Sequence, residues 1–446
     1  MLLLGAAALP VCLHARESND SIAESWEREL ELNEVVVVAR RPVMKQQEGK
    51  LVYLVKNDPY ARGLDGMTVL DCLPRVSVDN GAVSVAGKGN VRYIIDGILM
   101  ELDATAMAMR LQNLHAEDIE KIELLTLPPT RYAAEPNAAY ISITTRNETL
   151  GTKGSVYGSL NQGDKLREYF SGSMSHTMKK WDFALDASVS DYRSTNENDM
   201  EYTFSDGSPA RISSTQTKSH LFDTGFNTLF RYKFTPDMNV GVIANFNYES
   251  VSGDGTNATD YGEYTSSSRS VTKSRPNNAL TLTGFYDWTF GAKGKSVQLT
   301  YNFYKRHSPA LSDITTTYSN NVEANGMNED GKTDYRFHSG KADFKLPYGQ
   351  AQLETGVAYT DILNSSDNFL QSISPNVPAQ NCISDVFDYS ERIAAAYITA
   401  SRTLGAGFWA KVGFRYEYTY TKGTQKTVGQ VDRDRYGHLF PSVNLS

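Results

Sequence analysis

Residues 239–249 read NVGVIANFNYE. Val240, Val242, Ala244, Phe246 and Tyr248 fall on one face of an extended chain, and Asn239, Gly241, Asn245, Asn247 and Glu249 on the other, with Ile243 as the one exception. The same rhythm returns on both sides. Trp181, Phe183, Leu185, Ala187 and Val189 alternate with Asp182, Asp186, Ser188 and Ser190. Val297, Leu299, Tyr301 and Phe303 alternate with Ser296, Gln298, Thr300 and Asn302. Phe408, Ala410, Val412, Phe414, Tyr416 and Tyr418 alternate with Lys411, Gly413, Arg415, Glu417 and Thr419. Alternation alone also describes a soluble sandwich, whose strands run to about five or six residues. These segments hold their pattern for about ten or more, the length a tilted strand needs to cross a bilayer. The expected fold for residues 152–446 is therefore an antiparallel transmembrane β-barrel.

The connections agree with that reading. Short turns at Met178, Thr235, Ala292, Pro347 and Leu404 alternate with polar stretches expected to be long external loops, at Ser252 to Asp260, Asn320 to Asp330 and Ser365 to Ser384. Tyr286, Trp288 and Phe290, or Tyr416, Tyr418 and Tyr420, suit interfacial girdles. Composition excludes other classes. With 40% hydrophobic and 22% charged residues among 446, the chain lacks the continuous apolar runs of a helical membrane bundle. A net charge of −8 leaves no basic surplus for nucleic acid. Three cysteines, Cys12, Cys72 and Cys382, make no disulfide framework.

Before residue 150 the rhythm differs. LLLGAAALPVCL at 2–13 is too short to span a bilayer and reads as the core of a secretory signal, giving a signal peptide at 1–15 and a polar linker at 16–31. From 32 to 148, short apolar runs at Leu51–Val55, Val91–Asp96, Ile119–Leu127 and Tyr140–Thr145 predict strands. Met67–Leu73 and Asp103–Leu114 predict short helices, the second with Asp103 as N-cap. These make a small α+β domain.

A small α+β domain followed by long membrane strands resembles the plug and barrel of TonB-dependent outer-membrane receptors, closest to the Bacteroidetes-type outer-membrane β-barrel family. The likeness is carried by TVLDCLPRVSVDNGAVSVAGKGNVRYIIDG at 68–97 and DIEKIELLTLPPTRYAAEPNAAYISITT at 118–145. Arg75 departs from the Gly of the family's PGV-like turn, and Glu135-Pro136-Asn137 replaces a Gly-rich stretch. The resemblance implies TonB-dependent uptake of a small ligand such as a siderophore, vitamin, glycan or peptide, in the outer membrane of a Gram-negative cell. Its implied partners are TonB, outer-membrane lipid and the barrel-assembly machinery. LNEVVVVA at 32–39 resembles the energy-coupling Ton box, with Glu34, Val35, Val36, Val37 and Val38 as the TonB-binding residues; the other reading makes them the first plug strand. Resemblance also places Lys88, Asn90, Met100 and Glu101 toward the outside as candidate ligand contacts, each also readable as a turn residue.

No catalytic pattern is found. Gly87-Lys88-Gly89 lacks a third glycine and precedes a strand, the seven histidines never recur at metal-ligand spacing, and NGMNEDGKTD at 325–334 misplaces the ligand positions of a calcium loop. Neither a cofactor nor a metal is expected, and the protein is not read as an enzyme. About twelve strands are expected, against about 22 in the receptor family. The chain therefore reads as a C-terminally truncated or partial barrel, because an unpaired edge in lipid is costly. A non-energised barrel for surface binding or display is the competing function.

Overall fold

The computed structural model describes residues 42–445, apart from 48, 80, 103, 126–128, 133–136, 146–149, 206–209, 292–293, 321–324, 373–382 and 406–407. The signal, linker and Ton-box readings of residues 1–39 lie outside the described residues, as does Asp103.

A small α+β domain comes first. Its strands are β1 (Met44–Gln47), β2 (Lys50–Tyr53), β3 (Val76–Asp79), β4 (Ala82–Val85), β5 (Asn90–Ile95), β6 (Ile98–Leu99), β7 (Ile119–Leu125) and β8 (Ala138–Thr145), with helices α1 (Gly66–Asp71) and α2 (Ala104–Gln112). Six of the strands form one sheet in the order β1-β2-β7-β8-β5-β6, in which β5 runs parallel to β8; β3 and β4 form a separate hairpin. Asp65 caps α1 by accepting from the Thr68 N–H at 2.9 Å, which satisfies one of the orphan donors at the helix start. Leu70 and Leu111 from the helices meet Ile119, Ile122, Ile141 and Ile143 from the sheet in one buried cluster. The domain therefore owns a core of its own.

The remaining strands are β9 (Gly151–Gln162), β10 (Leu166–Thr177), β11 (Trp181–Tyr202), β12 (Arg211–Thr235), β13 (Met238–Asp260), β14 (Thr265–Thr272), β15 (Pro276–Phe290), β16 (Lys295–Tyr318), β17 (Asn325–Tyr348), β18 (Ala351–Ser372), β19 (Ile383–Gly405), β20 (Phe408–Gln425) and β21 (Gln430–Leu445). Every neighbouring pair is antiparallel. Strands β14 and β15 both lie between β13 and β16, one beyond the other. They fill a single position, so the wall has the expected twelve. The break falls at Lys273–Arg275, just before Pro276, a residue that cannot donate to a ladder. Strands β9 and β21 stand at the two ends of the strand order and are not paired with each other among the described residues.

Three expected loops are corrected. Residues 252–260 belong to β13, 325–330 to β17, and 365–372 and 383–384 to β18 and β19. Ser, Asn, Thr, Asp and Gly carry little intrinsic strand preference, but each of these stretches continues the ladder of its neighbour, as in Asn257 opposite Thr215 or Asp330 opposite Leu311. Hairpin pairing overrides propensity there. The strands consequently run to 22–25 residues on several hairpins, well beyond the roughly ten that a bilayer requires.

The two faces of the wall decide between sandwich and membrane. Val242 is 49% exposed and Phe414 47%, whereas Asn245 on the opposite face is 2% exposed and Arg415 5%. The apolar face looks outward and the polar face is buried, the reverse of a soluble protein and the arrangement that lipid demands. Among the described residues, no helix is long and apolar enough to cross a membrane.

Two outcomes follow. Val242→Arg should cost about 2–4 kcal/mol in urea unfolding from lipid vesicles, as expected for a cation at mid-bilayer on the lipid face, while Asn245→Ser should cost under about 1 kcal/mol. In the small domain, burial alone would push the Glu123 carboxyl up, but hydrogen bonds from Lys50 (2.7 Å) and Lys121 (3.0 Å) prevail and hold it below its ordinary value. A depressed folded-state pKa adds stability that is present above the unfolded value near about 4.3 and is lost as pH falls through the folded one. Glu123→Gln should therefore lower the domain's stability by about 1–2 kcal/mol at neutral pH and flatten its loss below about pH 4, read from protease resistance of residues 42–145 against pH.

Candidate functional site

The small domain lies against the inward face of the wall, and the contacts between them are mainly polar. Arg110 of α2 donates to Asp186 of β11 at 2.8 Å, and Asn227 of β12 donates to the same carboxylate at 3.0 Å. Lys153 of β9 donates to Asp118 at 2.6 Å, and His115 lies 3.3 Å from Ser155. On the far side, Arg415 of β20 reaches the Thr130 carbonyl at 3.5 Å. Among the described residues, the wall's apolar contribution to the small domain's core is Ile243 of β13. This explains why Ile243 broke the alternation: it is an inward position that meets protein.

The turn between β5 and β6 is the centre of one contact. Asp96 holds φ +49°, a left-handed conformation that among non-glycine residues Asn and Asp tolerate best, and its carboxylate accepts from the Thr145 N–H and hydroxyl, both at 2.8 Å. The same carboxylate lies 3.9 Å from Arg231 of β12. Arg231 and Lys233 in turn reach Asp182 at 3.8 and 2.7 Å. A cavity of about 130 Å³ separates the two bodies here, lined by Asp96, Arg110, His115, Asp182, Asp186 and Arg231.

A second cavity of about 440 Å³ lies between the small domain and β16–β20. Arg92, Glu101, Arg131 and Tyr132 supply one side, and Tyr304, Tyr335, Lys341 and Arg415 the other. Tyr132 stacks on Tyr140 at 5.4 Å, with Arg131 at 4.8 Å and Lys341 at 4.2 Å from the Tyr132 ring. Its volume is in the range of small-molecule sites, and its lining offers aromatic faces and cations.

The expected ligand contacts divide. Glu101 lines this cavity and pairs with Arg92 at 3.5 Å. Met100 does not: it is 6% exposed and packs within the domain's main core, so its assignment as a contact is corrected. Its N–H donates to the Tyr93 carbonyl, which holds the residue just after β6 against the domain with its side chain in the core. Lys88 and Asn90 sit at the β4–β5 turn and line neither cavity. Arg131, Lys341, Arg415, Arg110 and Asp186 were not singled out as contacts. Inward parity was the available signal, since Asp186 and Arg415 stand on the polar faces of their strands.

At the loop end, Tyr261 stacks on Tyr264 at 4.7 Å and Tyr264 lies 6.4 Å from Tyr318, while Arg211 sits over the rings of Phe204 and Tyr261, each at 5.0 Å. The three tyrosines brace two hairpin tips against each other.

Residues 288–446 match the model of the outer membrane protein beta-barrel family. No curated protein matches the chain. Among solved structures, it is similar to the copper transporter OprC, with 13% identity over 90% of this chain and 60% of that one and a TM-score of 0.49. It is similar also to the ferric preacinetobactin receptor BauA from Acinetobacter baumannii, with 11% identity over 90% and 61% and a TM-score of 0.44. A third is the alcaligin outer membrane receptor FauA from Bordetella pertussis, with 10% identity over 90% and 81% and a TM-score of 0.33. The family match covers residues 288–446, and the inside-out wall carries the same β-barrel character through residues 151–445, with a small α+β domain seated on its inner face.

Asp186→Asn should strip Arg110 of its carboxylate and leave a mostly buried cation, weakening the seat by roughly 2–4 kcal/mol. Hydrogen exchange of the α2 amides in the full protein should rise while the wall's heat-modifiable band is unchanged; unaltered α2 protection would count against this pair as a fastening.

Proposed function

We propose that the protein is an outer-membrane receptor for energised uptake of a small ligand, in which the small domain is a plug that TonB displaces. The observation that carries this reading is the character of the seat. The plug has its own apolar core, yet meets the wall through ion pairs and hydrogen bonds such as Arg110–Asp186 and Lys153–Asp118. Polar contacts beside water-lined space can be exchanged for water without exposing a core, so such a domain can move and return. The ligand is met in the cavity bounded by Arg92, Arg131, Tyr132, Lys341 and Arg415, between the plug and the wall.

In this reading residues 1–15 are an export signal, 16–31 a linker, 32–148 the plug and 152–446 the barrel, as in Bacteroidetes-type receptors. The barrel-assembly machinery inserts the wall into outer-membrane lipid. Glu34, Val35, Val36, Val37 and Val38 form the Ton box, which adds as a strand to the edge of TonB; such pairing depends on backbone donors that proline lacks. Val36→Pro should therefore abolish capture of the full protein by the periplasmic domain of TonB, with surface abundance unchanged. Equal capture by the variant overturns the Ton-box assignment. Ligand binding and its physiological effect left intact by deletion of Leu32–Ala39 would favour a non-energised barrel for binding or display.

A further inference from the structure

The outward face of the wall changes character abruptly toward the loop end. On β16 the outward residues are Val297, Leu299, Tyr301 and Phe303, and then Lys305. On each of six adjacent strands, β16 to β21, the first charged residue beyond the apolar band can be read in this way. They are Lys305, Arg336, Asp361, Arg392, Lys422 and Arg435. Five of the six are cations, and the single carboxylate, Asp361, pairs with its neighbour Arg392 at 3.4 Å. The equivalent residues on β10, β11, β12 and β13 are Glu168, Asp191, Lys218 and Asp254. The basic edge is thus confined to one half of the wall, in a chain whose net charge is −8.

Register joins these cations in two pairs, one on each side of β18 and β19. Lys305 stands opposite Arg336, and Lys422 opposite Arg433. Among the described residues none of these four has a carboxylate within ion-pairing distance. A hollow of about 620 Å³ opens between the Lys305–Arg336 pair and Lys422, with Lys426 also on its lining and Arg433 outside it. The same lining holds two acids, Asp334, which lies 2.8 Å from His307, and Asp388, which pairs with Lys426 and accepts from Ser365 at 2.7 Å, so its four cations outnumber its carboxylates two to one. Immediately on the membrane side come Tyr301, Tyr359 and Tyr418, all outward. Arg435 sits 5.3 Å from the ring of Tyr420.

Unneutralised cations directly above an aromatic girdle face the headgroups of the leaflet on the loop side. We propose that this face binds the phosphate groups of a phosphorylated glycolipid of the outer leaflet. Lys305, Arg336, Lys422 and Arg433 supply the charge, and the tyrosines below receive the start of the acyl region. Arginine offers the paired donors that phosphate oxygens accept, and a headgroup carrying two phosphates can bridge cations on neighbouring strands about 4.8 Å apart. This proposal needs the membrane reading of the wall and is independent of the receptor reading.

The test uses the full chain purified in neutral detergent, with lipid A, dephosphorylated lipid A and inorganic phosphate as probes, and native mass spectrometry as the readout. The unsubstituted protein should retain phosphorylated lipid A, with dephosphorylated lipid A held on the order of a hundredfold more weakly. The combined variant Lys305→Gln, Arg336→Gln, Lys422→Gln and Arg433→Gln should lose retention to a similar degree with its heat-modifiable band intact, since no ion pair within the fold is removed. Equal retention of the two lipids by the unsubstituted protein overturns the proposal without recourse to any variant. So does equal retention by the variant. Displacement of lipid A by millimolar inorganic phosphate would assign the site to free phosphate instead.

Discussion

Everything in this molecule answers to one constraint, that backbone N–H and C=O groups within a bilayer core find no water. Each wall strand meets the constraint by ladder pairing to its neighbours, in long unbroken registers such as the 22 pairs of β11 with β12. Pairing in turn fixes which side chains face lipid, because the strand period is two. Once Val242 and Phe414 look outward, Asn245 and Arg415 must look inward, and the barrel's inner surface becomes polar without further selection. A domain seated on that surface gains little from the hydrophobic effect beyond the contact of Ile243 with its core. It must bring its own core and dock through charges, as the buried cluster around Leu70 and Ile122 and the Arg110–Asp186 pair together demonstrate.

The energetics of such a seat differ from those of a core. An ion pair taken out of water repays its desolvation only when its geometry is good, and losing one partner costs more than the pair contributes. Asp186, which accepts from both Arg110 and Asn227, and Asp182, which faces Arg231 and Lys233, are shared acceptors of this kind. Water can enter beside them, since the adjoining cavity already separates plug from wall. The seat is therefore specific in register and modest in strength, whereas the wall and the plug core are each held by many cooperative contacts.

Much of this was legible in the chain. Alternation gave the wall, its inward and outward parity and its twelve positions, and the four apolar runs and two helical segments of the plug recur as β2, β5, β7, β8, α1 and α2. What failed has physical reasons. Ser252–Asp260 resembles a loop because its residues are poor strand formers, yet hairpin pairing extends β13 through it. Met100 follows an exposed-looking turn but is drawn into the core by its bond to Tyr93. Arg75, which replaces the expected glycine, takes φ +72° and keeps the left-handed turn, with its own side chain donating to the Ala86 carbonyl at 3.2 Å. Which inward charges meet the plug was not legible, because Asp186 and Arg231 have the same parity as polar residues that touch nothing of it. Only the tertiary placement of α2 and of the β5–β6 turn separates them.

The sheet order of the plug carries a mechanical consequence. Strand β1 is an edge strand, four residues long and exposed throughout, and it pairs only with β2. Chain connectivity puts it first in line for any load applied N-terminal to Pro42. An edge ladder peels one pair at a time, so such a load meets four pairs before it reaches β2, and β2 before β7. Strands β8 and β5, with Asp96 just after β5 accepting from Thr145 at the end of β8, lie beyond β7 in that order. The core at Ile122, Ile141 and Ile143 lies between the edge and those contacts, so a pull is resisted weakly at first and then transmitted through a rigid body to the Asp96–Arg231 and Arg110–Asp186 contacts. A domain whose seat is polar and whose loaded edge is short yields at those two places before its core is disturbed.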